Sequence, residues 1–350
     1  MASRVVRWQQ IHGRNDLPWQ ANRDPYRVWL SEIMLQQTQV ATVAAYFHRF
    51  VERLPTLAAL ADASEDEVLA LWSGLGYYSR ARNLHRSAMS IMEQHGGEFP
   101  QRAATLMALP GIGRSTAAAV TSLCFGERVA ILDANVRRVL TRLVAFDRDV
   151  SVAANAKALW DVATGLLPRR DLARSMPSYT QGMMDLGATL CLPRNPQCER
   201  CPLAELCVAH KAGTVESFPV RSRKLRRSTL SVWLLCAQDR DGAIWLERRP
   251  SSGVWGGLYC LPWFDSREML VGSLPPRHRA RLQDMQPIKH VLTHKDLYLH
   301  PVVWRVPASS THVPLHRASR WSSGRGWACP LPCGFPLYKS EQSPLELVLI

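Results

Sequence analysis

Four cysteines spaced Cys191-x6-Cys198-x2-Cys201-x5-Cys207 constrain this chain more than any other feature. Four thiolates in so short a loop can enclose one metal centre, and two occupants accept such a set: a tetrahedral zinc ion and a cubane iron–sulfur cluster. Structural zinc sites usually pair two Cys-x-x-Cys knuckles, and here there is one, flanked by wider gaps stiffened by Pro193, Pro196 and Pro202. That arrangement leans toward [4Fe–4S], although spacing leaves both occupants open. A disulfide framework fits less well, because nine cysteines are an odd number and Cys124, Cys236, Cys260, Cys329 and Cys333 are scattered.

At 350 residues the chain can hold two domains, each with its own core. The formal net charge of +14 suits a polyanionic partner, nucleic acid first, and the plainer alternative is a basic protein without such a ligand. No apolar run is long enough to span a bilayer, so no membrane association is expected. The start Met1-Ala2-Ser3-Arg4 lacks the apolar core of a signal peptide, which points to the cytoplasm.

Residues 1–212 read as helical. Val40, Val43, Ala44, Phe47 and Val51 form an apolar stripe, as do Val136, Val139, Leu140 and Leu143, and Ser64 to Glu67 fits a capping box. Residues 213–229 carry Arg221, Arg223, Lys224, Arg226 and Arg227 without apolar periodicity and read as a basic linker. Residues 230–305 read as α+β, opening with a hairpin from Ser231–Ala237 and Ala243–Arg248 around a turn at Asp239 to Gly242. Residues 306–350, with Trp321, Trp327, Cys329 and Cys333, form a tail with no assigned role.

Three places could carry chemistry. Leu109 to Ala117 sets a Pro-Gly-x-Gly turn between two helical segments; Gly111 and Gly113 permit close backbone approach, and the helix start that follows offers free N–H groups to a phosphate. Asp133 reads as a helix N-cap, a position that also suits an anion facing positive charge. Glu32 lies in an apolar, amide-rich helix running to Thr38, either at its exposed edge or buried, where desolvation would keep it protonated. Together they would make the unlike carboxylate pair of glycosidic cleavage.

The hairpin, Asp133 and the cysteine loop together resemble the iron–sulfur members of the endonuclease III superfamily of DNA glycosylases. Ser31 to Val40, Gly74 to Asn83 and Gln181 to Ala188 resemble its adenine-specific MutY branch. The resemblance implies a mainly α-helical glycosylase domain with a helix-hairpin-helix and a [4Fe–4S] loop, followed by an α+β Nudix-like domain. It further implies a monomer acting on double-stranded DNA with A:8-oxoguanine or A:G mispairs, associated with the bacterial nucleoid when bound. The adenine would be flipped out, Glu32 would protonate it and Asp133 would stabilise the sugar cation. Gln37 and Tyr77 would wedge into the stack, Gln181 would contact the adenine, and Thr38 and Leu75 would lie near the lesion. Where bifunctional relatives carry a nucleophilic lysine, this chain has Ser115, which excludes a Schiff base there.

Arg248 to Pro262 resembles the start of a Nudix fold, but the paired glutamates of a metal-binding Nudix box do not follow Arg267-Glu268. A lesion-reading domain is implied, with Leu292, Thr293 and His294 at the reading loop and leucine in place of the usual aromatic. The rival functions are a pyrimidine-lesion glycosylase with lyase activity, disfavoured by Ser115, and a non-enzymatic iron–sulfur protein that senses redox state on DNA, disfavoured by Glu32 and Asp133.

Overall fold

The computed structural model describes residues 1–222, 227–240, 243–306 and 319–322. They divide into two compact units, one holding Met1–Leu71 and the described residues from Ser79 to Ser222, the other holding Trp72–Tyr78 and those from Arg227 onward. Among the described residues no helix is long and apolar enough to cross a membrane.

The first unit is helical. In chain order it runs α1 (Ala2–His12), α2 (Pro25–Met34), α3 (Val40–Arg53), α4 (Leu57–Asp62), α5 (Glu65–Trp72, whose last residue falls in the other unit), α6 (Ser79–His95), α7 (Ala103–Leu106), α8 (Arg114–Phe125), α9 (Ala134–Leu143), α10 (Ala153–Gly165), α11 (Leu172–Asp185) and α12 (Val208–Lys211). A π-helical turn at Leu186–Leu190 follows α11 directly. The expected stripes are core faces: Val43 and Phe47 are buried, joined by Phe50, and so are Val136, Val139, Leu140 and Leu143. Ser64 caps α5 by accepting from Glu67 N at 3.1 Å, while the Glu67 carboxylate pairs with Arg53 at 2.7 Å. Helices α8, α9 and α11 share one apolar core with the π turn and Leu203 of the cysteine loop. That shared core ties the cysteine loop to the helix capped by Asp133.

The expected hairpin turn between α7 and α8 is present, and it rests on α6. Gly111 has φ 73, and a Cβ there would stand 2.6 Å from Asn83 Cβ, so only glycine fits. Ser87 Oγ donates to Pro110 O at 2.7 Å from the same helix. Gly113 caps α8 and is exposed, and a Cβ added to it would meet nothing within 4 Å. The first part of the basic stretch packs onto the helices: Arg142 donates to Phe218 O at 3.3 Å and Val150 N to Val220 O at 3.1 Å. Residues 223–226 lie outside the described set.

The second unit is built on a mixed sheet: β1 (Ser228–Gln238), β2 (Ile244–Arg248), β3 (Tyr259–Cys260), β4 (Trp263–Phe264), β5 (Leu282–Asp284), β6 (Ile288–Val291), β7 (Lys295–Arg305) and β8 (Ser319–Ser322), with short helices α13 (Arg267–Gly272) and α14 (Pro276–Arg279). Strands β1 and β7 pair in parallel along their whole length, from Ser228↔Lys295 to Gln238↔Arg305. Alternation then makes two cores. Val232, Leu234, Cys236, Leu297, Leu299 and Val303 face one side, while Leu235, Ala237, Val302 and Trp304 face the other, where Leu270 and Leu274 cover them. The expected hairpin forms, β1 pairing antiparallel with β2. Ser319–Ser322, which lies beyond residue 305, adds a strand to β2; Trp327, Cys329 and Cys333 lie outside the described residues.

Gly126 ends α8 with φ 67, and a Cβ there would meet Ala173 Cα at 2.9 Å, at the start of α11. We expect Gly126→Ala to destabilise the protein by about 1–3 kcal/mol, from left-handed strain plus displacement of α11. An unchanged urea midpoint would contradict this account of the α8–α11 packing.

Candidate functional site

Glu32 lies in the last turn of α2, and both ends of that helix are fixed. Asp24 caps its start, accepting from Tyr26 N at 3.0 Å, with Pro25 in the first helical position. At its end the buried guanidinium of Arg80 donates to the carbonyls of Ile33 at 2.9 Å, Met34 at 3.0 Å and Gln36, and to Thr38 Oγ1 at 3.3 Å. These are carbonyls that a helix end leaves without partners. The expectation of a helix through Thr38 is therefore corrected: α2 stops at Met34 because Arg80 takes the carbonyls that the next turn would use. Gln37 then turns out with φ 59 and is exposed.

Asp133 caps α9, its Oδ1 accepting from Val136 N at 2.7 Å. The segment leading into it is tied to α8, where Ser115 Oγ accepts from Leu132 N at 3.0 Å and Ser122 Oγ donates to Val129 O at 3.3 Å. A close approach holds the other side. A Cβ on Gly187 would stand 2.6 Å from Asn135 Cβ, so the π turn presses directly on the start of α9.

The electrostatics separate the two carboxyls. Glu32 keeps partial solvent access, yet burial, and then the Asp133 charge, push it up to about 7. The Asp133 charge is felt at Glu32, so the fold brings the two carboxyls into one site. Burial raises Asp133 too. It is opposed by N–H bonds from Val136 and Asn135 and by the charges of Arg138 and Arg137. Every cause acting on Glu32 opposes its anion, whereas four act in favour of the Asp133 anion.

A cavity of about 340 Å³ is lined by Gln9, Asn15, Gln20, Val28 and Gln181. Val28 is one turn before Glu32 on the same face of α2. Gln181 is buried on α11 and its Nε2 donates to Asp185 Oδ1 at 2.9 Å; Asp185, fully buried, is paired with Arg14 at 2.7 Å. Arg14, Gln20, Arg80 and Asp185 went unnoticed in the sequence. Arg80 stands within Gly74 to Asn83 and Asp185 within Gln181 to Ala188, charged residues in largely uncharged company, and that was the available signal.

The remaining candidates fall in several places. Thr38 Oγ1 bonds Gln36 O at 3.4 Å and belongs to the Arg80 turn. In the second unit Tyr77 is exposed with φ 48, Leu75 is buried, and the Tyr77 hydroxyl hydrogen-bonds Thr293 Oγ1. Thr293 and His294 are the exposed tip of the β6–β7 hairpin, closed by Leu292 N to Lys295 O at 2.8 Å and held by Arg227, which donates to Thr293 O at 3.0 Å. Arg267 is taken up by Asp284 at 2.7 Å.

The four loop cysteines line one apolar cavity with Leu143, Leu190 and Leu203. Among the described residues no three His, Cys, Asp or Glu side chains draw close enough for a single ion. Arg142, 2% exposed, donates to Leu192 O at 2.7 Å, Pro193 O at 3.2 Å and Cys191 Sγ at 3.4 Å. Arg138 donates to Cys191 O at 2.7 Å and Asn135 Oδ1 at 2.9 Å, spanning from the loop to the helix that Asp133 caps. Two guanidiniums thus offset the negative charge of a thiolate-bound cluster, and the residues fit [4Fe–4S].

Arg142→Met should leave the partly buried carbonyls of Leu192, Pro193 and Phe218 without this donor and lower stability by about 1–3 kcal/mol. Iron and acid-labile sulfide per chain should fall with it; full iron loading with an unchanged denaturation midpoint would show that Arg142 does not organise the loop.

Models of three families match the chain: the HhH-GPD superfamily base excision DNA repair proteins over residues 30–163, the iron–sulfur binding domain of endonuclease III over 191–207, and the NUDIX domain over 232–327. The adenine DNA glycosylase of Buchnera aphidicola subsp. Acyrthosiphon pisum is 34% identical, over 91% of this chain and 90% of the relative. That of Homo sapiens is 36% identical, over 78% of this chain and 58% of the relative. A thermostable thymine-DNA glycosylase superposes with a TM-score of 0.52 at 29% identity, covering 60% of this chain and 95% of its own. With a helix-hairpin-helix unit, an iron–sulfur loop, a Nudix-like sheet and relatives aligned along most of its length, this chain belongs to the adenine DNA glycosylases, [4Fe–4S] enzymes of base excision repair that bind DNA and hydrolyse N-glycosyl bonds.

Proposed function

We propose that this enzyme removes adenine mispaired with 8-oxoguanine or guanine, flipping the adenine from the duplex and hydrolysing its N-glycosidic bond without a lyase step. The observation that carries this reading is the carboxyl pair: burial and the Asp133 charge push Glu32 up to about 7, while N–H bonds from Val136 and Asn135 and the charges of Arg138 and Arg137 favour the Asp133 anion. Glycosidic cleavage of a purine needs a proton on the departing base and negative charge facing the oxocarbenium-like sugar. Glu32 supplies the proton to adenine N7, Asp133 stabilises the cation, and water completes hydrolysis to an abasic site. Ser115 has no amine, and its hydroxyl already accepts from Leu132 N, which supports a monofunctional reaction. The cluster, when bound, ties the four cysteines of the loop to one another and takes no part in these proton transfers.

The cavity beside α2 suits the flipped base, with Gln181 as its contact. Gln37 and Tyr77 are non-glycine residues held in left-handed backbone with exposed side chains, as wedges into a base stack would be. Exposed glycines at 111 and 113, followed by the start of α8, offer backbone N–H groups to a phosphate. The division proposed is a glycosylase domain at 1–212, a basic linker at 213–229 and a lesion reader at 230–305, working as a monomer in the cytoplasm.

The test is a cleavage assay on A:8-oxoguanine duplex with alkaline work-up. Wild type should release adenine, with a single-turnover rate flat in acid and falling tenfold per pH unit above about 7, as Glu32 loses its proton. Glu32→Gln should bind the duplex and release no adenine; release near the wild-type rate would remove Glu32 from the mechanism. The same substitution should stabilise the fold. The native value of about 7 exceeds the ordinary 4.5, so between those values the unfolded chain sheds a proton that the native one keeps, and stability falls as pH rises through that window. At pH 8 the glutamine variant should be about 1–3 kcal/mol more stable, after allowance for partial exposure.

For the reader, Thr293→Ala with His294→Ala should lower the preference for A:8-oxoguanine over A:G more than it lowers adenine release. Each lost polar contact is worth about 0.5–1.5 kcal/mol. An intact preference under single-turnover conditions would move lesion recognition out of the β6–β7 tip.

A further inference from the structure

We propose that Asp185, held by Arg14, fixes which end of the Gln181 amide faces the base cavity, and so makes that cavity select a purine with an amine at C6 over one with an oxygen there. The inference rests on the placement of the flipped base against Gln181 proposed above. An amide side chain is nearly symmetrical in shape but opposite in chemistry at its two ends, so an unconstrained glutamine can turn over and serve either purine. Asp185 removes that freedom. Its Oδ1 takes the Arg14 guanidinium at 2.7 Å from Nη2 and 2.8 Å from Nε, and its Oδ2 takes Arg14 N at 3.0 Å. A buried carboxylate in such an ion pair can only accept hydrogen bonds. Gln181 must therefore turn Nε2 toward it, as the 2.9 Å bond shows, which leaves Oε1 as the end offered to the cavity.

Gln20 adds a second, independent sign. Its Oε1 is buried without a hydrogen-bond partner and Gln20 lines the same cavity. A buried carbonyl oxygen with no donor is unfavourable by about 1–3 kcal/mol, so the position is matched to a donor that arrives from outside. An exocyclic amine brings two hydrogens, one for each carbonyl. Hypoxanthine, the same ring with oxygen at C6, would set an acceptor against both. Arg23 and Arg174 also line the cavity, but both are exposed and free to turn to water or phosphate. Asp185 and Arg14 touch no base in this scheme; they are positioning residues that act through Gln181.

The experiment measures single-turnover release of adenine and of hypoxanthine, each opposite 8-oxoguanine, with active-site concentration titrated for every variant. The ratio of the two rates is the readout, because a loss of folded protein lowers both alike and leaves the ratio in place. Wild type should favour adenine by at least about a hundredfold, as expected where a site is built to hydrogen-bond one partner. In Asp185→Asn the neighbour can donate as well as accept, Gln181 can turn over, and the ratio should fall about tenfold or more. Arg14→Lys loses the two-pronged guanidinium grip but keeps a positive charge opposite Asp185, so the neighbour remains acceptor-only and the ratio should hold within about threefold. If Asp185→Asn yields too little active protein, Arg14→Met with Asp185→Asn, which buries no unpaired charge, should show the same fall. An unchanged ratio in either Asp185 variant overturns the proposal while leaving adenine release intact. A wild type that releases adenine from neither A:8-oxoguanine nor A:G duplex overturns the functional reading itself, and this inference with it.

Discussion

The helical unit is closed around a guanidinium. Arg142 is almost fully buried, and its donors meet the carbonyls of Leu192, Pro193 and Phe218 and the sulfur of Cys191. An irregular loop carries backbone carbonyls with no ladder to satisfy them, and burying such groups is unfavourable unless a donor reaches them. One planar fork of N–H groups serves four acceptors that no lysine could reach together. Because Arg142 sits on α9, the cysteine loop is fixed relative to the helix that Asp133 caps. Arg138, on the same helix, extends the tie to Asn135, next but one to Asp133. Metal loop and carboxylate are thus parts of one rigid element, and Arg80 does for the end of α2 what Arg142 does for the loop.

That rigidity opposes a destabilising arrangement. A carboxyl raised to about 7 is one the native fold would keep more easily as an amide at neutral pH, and its neighbour is a second acid. Asp24 and Arg80 hold the backbone on either side of Glu32, and no cation is among the causes that set its carboxyl. The supports therefore fix position without supplying a counter-charge. A cation beside Glu32 would stabilise the fold and would also lower the carboxyl, removing the proton that the proposed general acid needs.

Local signals were legible in the sequence. The spacing of Cys191 to Cys207 named the loop, Pro110-Gly111 the hairpin, Ser64 and Asp133 their caps, because each depends on neighbours within a few residues. What escaped depends on distance along the chain. Arg80 ends α2 from more than forty residues away, so periodicity ran the helix on to Thr38. The parallel pairing of β1 with β7 joins segments separated by most of the second unit and leaves no mark in either strand beyond alternation.

Gln37 and Tyr77 show how a motif can be read physically once a backbone is available. Each is a non-glycine residue in the left-handed region, a conformation that disfavours side chains with a Cβ, and each is exposed. Glycine would relieve the backbone at either position, at Tyr77 at the cost of its hydrogen bond to Thr293. The fold keeps a long amide at one and an aromatic at the other, which makes the side chain itself the reason for the strain. Under the function proposed, exposed side chains preset on such turns would be ready to insert into a base stack, because the ordering is done before DNA arrives. The same logic separates these residues from Gly111, where the left-handed backbone faces Asn83 and the absence of a side chain is the function.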